Sequence, residues 1–147
     1  MSSIKDYFEI EELVSKAVFD KEGENAWRFF DPRLLETMLF IREYFGKPIY
    51  VNGWKYGRSF SQRGLRENTG SVVRKKCQEG KLYLSAHVFG QALDFDVKGM
   101  TANEVRERLV DLADVLPHPI RLEANVNWVH LDVAVKEGQG KVYVFHA

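Results

Sequence analysis

The stretch Ser85-Ala86-His87-Val88-Phe89-Gly90-Gln91-Ala92-Leu93-Asp94-Phe95-Asp96-Val97 decides how this chain is read. Residues 92–97 alternate as a strand, with Leu93, Phe95 and Val97 on one face and Ala92, Asp94 and Asp96 on the other. The second face is unusual, because aspartate is a poor strand former and a strand aspartate requires a positive partner. His87 precedes Asp94 by seven residues, and Gly90 between them supplies a turn that folds the imidazole back over the strand.

The same arithmetic applies to Trp128-Val129-His130-Leu131-Asp132-Val133, where Val129, Leu131 and Val133 face the core and Trp128, His130 and Asp132 face away. His87, Asp94 and His130 can therefore converge. Two imidazoles and one carboxylate, with a fourth position left for water, make the ligand set of a catalytic zinc site, since a structural site closes all four positions with protein ligands. On face arithmetic alone the alternative is a satisfied polar network of buried histidines and aspartates. A single cysteine, Cys77, argues against a thiolate site, and the helical His-Glu-x-x-His motif is absent.

Outward from these strands, residues 9–19 carry apolar side chains at helical spacing. A second helix is predicted from the cap Asp31-Pro32 to Gly46, followed by a short strand over 48–52. Residues 53–80 lack periodicity and read as a long functional or mobile loop. A strand is expected at 82–84, and Thr101-Ala102-Asn103-Glu104 is a capping box that opens a helix running to about residue 116. Strands near 120–123, 128–135 and 141–145 complete the chain.

The chain has 147 residues, which predicts one domain over 1–147. Its 45% hydrophobic and 13% aromatic content excludes disordered and disulfide-framework classes. Lys plus Arg (21) equals Asp plus Glu (21), so no global field draws it to nucleic acid or an anionic membrane, and a monomer is expected. Charge interrupts Met1-Ser2-Ser3-Ile4-Lys5-Asp6 before a secretory core could form, and Cys77 suits a reducing compartment, so cytoplasmic synthesis is expected.

Ser85-Ala86-His87-Val88-Phe89-Gly90-Gln91-Ala92-Leu93-Asp94 resembles the Ser-x-His-x-x-Gly-x-Ala-x-Asp pattern of the zinc D-alanyl-D-alanine carboxypeptidases and dipeptidases of bacterial cell walls. Trp128-Val129-His130-Leu131-Asp132 is similar to that family's second element. The family includes L-alanyl-D-glutamate endopeptidases of phage endolysins and shares its fold with the amino-terminal domain of hedgehog. The resemblance covers most of the chain, from about Phe8 to Val135. It implies an α+β fold with a central antiparallel sheet, helices packed on one side and a zinc site on the sheet. It further implies a peptidoglycan stem peptide as substrate, cut by a carboxypeptidase or an endopeptidase, and delivery to the wall as a phage or prophage product.

Carried over residue by residue, His87, Asp94 and His130 become the Zn2+ ligands, and Ser85 stands near the substrate carboxylate, with a turn-capping role as its alternative. Arg63 is chosen as the cation for that carboxylate, with Lys55 and Arg58 competing. Many relatives place a glutamate three residues before the second zinc histidine, where this chain has Asn127, which cannot take a proton from water. Glu123 is the nearest upstream carboxylate and is assigned as general base; its alternative is a surface pair with Arg121. Asp96 and Asp132 are expected to accept the outer N–H groups of the metal histidines. Asn127 also leaves open a non-catalytic zinc-binding domain, or a phage structural or interaction protein that retains the metal site.

Overall fold

A computed structural model describes residues 2–147. Its elements in chain order are α1 (Ile10–Leu13), α2 (Lys16–Glu22), α3 (Pro32–Phe45), β1 (Ile49–Tyr50), α4 (Ser71–Gln78), β2 (Ala92–Val97), α5 (Ala102–Asp111), β3 (Ile120–Glu123), β4 (Val129–Asp132) and β5 (Val142–Phe145). The strands form one open sheet in the order β1-β2-β4-β3-β5.

The sheet is mixed rather than wholly antiparallel. β1, β2, β4 and β3 pair antiparallel, but β5 joins the outer edge of β3 and runs parallel to it. The cause is topological: β5 runs opposite to β4, and because β3 lies between them, β5 must share the direction of β3. The apolar faces behave as the alternation predicts. Leu93, Phe95, Leu122, Val129 and Leu131 are fully buried in one core with Leu34, Met38 and Ile41 of α3 and Val105 and Leu109 of α5.

Helix signals held where caps were explicit. Asp31 accepts from the Arg33 amide with Pro32 at the first turn, and Gly46 closes α3 in the left-handed region. Thr101 and Glu104 form the capping box of α5, whose regular part ends at Asp111 and gives way to turns up to residue 115. The segment 9–19 is two helices, because Val14 is extended (φ −128°, ψ 162°) and bridges Leu65. Ser15 then caps α2.

The stretch 53–80 is more ordered than a passive loop, with a 3-10 turn at Trp54–Tyr56 and the helix α4. Residues 82–84 are not a strand: Leu82 and Leu84 are exposed, and this segment joins no neighbour in the sheet. Among the described residues, no helix is long and apolar enough to cross a membrane.

Candidate metal centre

Pairing of β2 with β4 sets Asp94 directly opposite His130 and Ala92 opposite Asp132, while β3 sets Arg121 opposite Asp132. Cross-strand partners have Cβ atoms roughly 5 Å apart, so register alone gathers these groups on the sheet face away from the core. His87 comes from the turn before β2. Gly90 makes that turn at φ +70°, and a Cβ there would lie 2.0 Å from the Phe29 carbonyl oxygen, so glycine is required twice over.

The third wall is the segment 62–66, pressed between α1 and β2. Leu65 donates to the Leu13 carbonyl, Ser15 donates to that of Leu65, and the Asp94 amide donates to the Arg63 carbonyl at 2.7 Å. Gly64 permits this approach, since a Cβ would lie 2.0 Å from the Leu13 oxygen. The consequence is chemical. The Gly64 carbonyl meets His87 Nδ1 at 3.0 Å, which assigns the proton there and leaves Nε2 with a free lone pair.

His87, Asp94 and His130 are buried, and one ligand atom from each lies within 4.8 Å of the others. His87 Nε2 is 3.2 Å and His130 Nδ1 2.8 Å from the same oxygen, Asp94 Oδ1. Ligands held at 2.0–2.1 Å in a tetrahedral array sit about 3.3 Å from one another, so the two distances to Asp94 Oδ1 are near those a small divalent cation would need. The opposite nitrogen of His130, Nε2, is 2.8 Å from Asp132 Oδ2. Asp132 is in turn gripped by Arg121, through Nε at 2.8 Å and Nη2 at 3.0 Å. The Arg121 guanidinium stacks on Phe145, whose ring meets His130 edge-on.

Without a metal these groups balance one another. Burial disfavours the His130 cation, yet hydrogen bonds to Asp132 and Asp94 outweigh it and raise His130 to about 9. For Asp94, burial opposes ionisation, but His130 and His87 hold its carboxyl well below the usual range. Burial wins at His87, which is pushed down and kept neutral. The cluster thus holds one carboxylate and one neutral imidazole, the charge states that a metal ion would require of them.

Glu123 lies on the same face of the sheet, because its strand neighbours Ile120 and Leu122 point into the core. It lines a cleft of about 310 Å3 together with His87, Asp94, His130, Ser85 and Trp128. Arg121 is committed to Asp132, not to Glu123. Ser85 also lines the cleft, but its hydroxyl accepts from the His87 amide at 3.2 Å, so it braces the ligand turn.

Two expectations are redirected. Asp96 accepts no histidine N–H; its partner is Arg63, at 2.9 Å, because the strand carries Asp96 one pleat beyond His130. Arg63 is itself buried under that pair and stacked on Phe60, in a groove beside the cluster. Lys55 is held by Glu9 and Glu11, and Arg58 lies over Tyr50. Besides Arg121, which Asp132 holds, the cation that lines the cleft is Arg66, whose Nη2 is 3.7 Å from Asp94 Oδ2. Its Nε donates to the Gln62 carbonyl at 2.7 Å and its Nη1 to Tyr83 Oη at 2.6 Å. The signal for Arg66 was present in Arg63-Gly64-Leu65-Arg66, but only the pinning of Gly64 tells which arginine faces the metal side.

Against known proteins, the chain matches no family model, no curated protein and no solved structure.

Proposed function

We propose that the chain is a zinc-dependent hydrolase of peptide bonds containing D-amino acids, acting on peptidoglycan stem peptides. The observation that carries this reading is the placement of Glu123, a carboxylate free of Arg121, in the same small cleft as the two histidines and Asp94. The motifs around His87 and His130 support it by their resemblance to cell-wall zinc peptidases with a hedgehog-like fold.

A zinc ion held by His87, Asp94 and His130 supplies Lewis acidity, which polarises a carbonyl and acidifies water. Glu123 takes a proton from the attacking water as its oxygen bonds to the carbonyl carbon. The same carboxyl then gives that proton to the amide nitrogen as the C–N bond breaks, so an acid and an amine leave. Arg66 offers a substrate carboxylate a guanidinium already oriented by Gln62 and Tyr83. Asp132, held by Arg121, fixes the ring of His130 through the reaction.

The test is incubation of the zinc-loaded protein with defined muropeptides, with and without a chelator, and product identification by mass spectrometry. Chelator-sensitive release of terminal D-alanine marks a carboxypeptidase, and internal cleavage an endopeptidase. Stoichiometric zinc with every muropeptide intact overturns the reading. A metal-holding domain without hydrolysis is the second reading, and Asn127 favours it, since it stands where many related enzymes carry their glutamate.

A further inference from the structure

Next to the metal cleft runs a larger groove of about 710 Å3. The two share Arg66, Asp94 and Trp128 in their walls, so a ligand in one continues into the other. Their chemistry differs. The metal cleft is built of titratable groups, whereas the groove presents Phe60 and Trp128 as aromatic surfaces with Ser59, Ser61, Gln62 and Asn127 as uncharged donors and acceptors. Its own charges cancel, because Arg63 is tied to Asp96.

Away from the shared Arg66, a peptide backbone bearing carboxylates gains little from such a lining. A pyranose ring gains much, because its C–H face lies on an aromatic ring while its hydroxyl and acetamido groups need neutral hydrogen-bond partners. Phe60 is half exposed, and with Arg63 stacked on one face of its ring at 4.2 Å it is held in place from that side. Asp96, whose side chain is 43% exposed although paired, adds one acceptor to the groove.

We infer that this groove is a saccharide subsite, which takes an N-acetylhexosamine of the wall glycan while the attached peptide passes over the metal centre. The inference deepens the hydrolase reading and rests on it for one point: the polymer that carries the sugar.

The subsite is tested by binding, independently of hydrolysis. Zinc-loaded, isotope-labelled protein is titrated with chitotetraose, a soluble oligomer without peptide, and followed by NMR. The expected shifts fall on the amides of residues 59–62 and 127–128 and on the Trp128 indole, and Phe60→Ala weakens binding about five-fold with zinc uptake unchanged. Asn127→Ala serves as a second variant with the same expected direction. No shift at about 10 mM glycan, or shifts elsewhere, or equal affinity in both variants, overturns the subsite. If glycan binds here but glycan-linked muropeptides stay intact, the hydrolase reading falls and the subsite stands. If muropeptides are cut at the same kcat/KM with and without their sugar, and chitotetraose does not bind, the subsite falls and the hydrolase stands.

Discussion

Asp94 and His130 are exact cross-strand partners of β2 and β4, and their side chains meet at 2.8 Å through Oδ1 and Nδ1. Backbone pairing fixes the separation of these two, so their half of the candidate metal centre is as rigid as the middle of the sheet. His130→Ala therefore removes a ligand that no neighbour replaces. Loss of stoichiometric zinc by mass spectrometry, with the far-ultraviolet dichroism retained, is the expected result.

Asp132 is fully buried, pairs with Nε2 of His130 and is itself fixed by Arg121. Asp132→Asn keeps the shape and removes the charge. Zinc affinity should fall roughly 10- to 100-fold, read by competition with a chromophoric chelator.

Glu123→Gln separates metal binding from chemistry. Zinc content should be unchanged, while kcat on muropeptides falls by about 10²- to 10⁴-fold. A variant that loses zinc in proportion to activity would show that Glu123 supports the centre instead of moving a proton.

Gly64 stands where α1 and the Arg63-Arg66 segment touch. Gly64→Ala must push the Leu13 carbonyl aside, with a cost of about 1–3 kcal/mol. A lower Tm and weaker zinc binding should appear together, because the carbonyl that orients His87 moves with the strain.

Acid stability reports on Asp31. Hydrogen bonds from Arg33 lower its pKa from 3.8 to about 2, with a further bond from Gln91. A depressed carboxylate contributes stability that is complete above 3.8 and lost as pH falls towards about 2. Asp31→Asn keeps the N-cap. Between those pH values its unfolding midpoint in urea should therefore vary less with pH than that of the native chain.

How much of this was legible in the chain depends on how local the signal is. The alternation in 92–97 and 129–132 displayed in advance the face on which Asp94 and His130 meet, and the Asp31 and Thr101 caps mark their helices by side-chain chemistry alone. Val14 hid the break between α1 and α2, because an apolar residue at helical spacing looks the same whether it sits in a helix or bridges a distant Leu65. Pairing of Arg63 with Asp96, and of Arg66 with the metal cleft, turns on a loop pressed against α1, and no periodicity records it. The parallel placement of β5 was equally invisible, being a choice of sheet edge and not of strand composition.

The ligands Asp94 and His130 sit on β2 and β4, interior strands with a neighbour on each side, while residues 53–85, which wall the cleft and groove, belong to no strand of the sheet. Interior strands are the last part of a fold to open, and connecting segments tolerate insertion and exchange. On the proposed reading, selection can retool which polymer is gripped by rewriting one surface segment, leaving Asp94 and His130 in place. A library randomised only over 59–62 and 81–84 would be the economical place to look for new specificities.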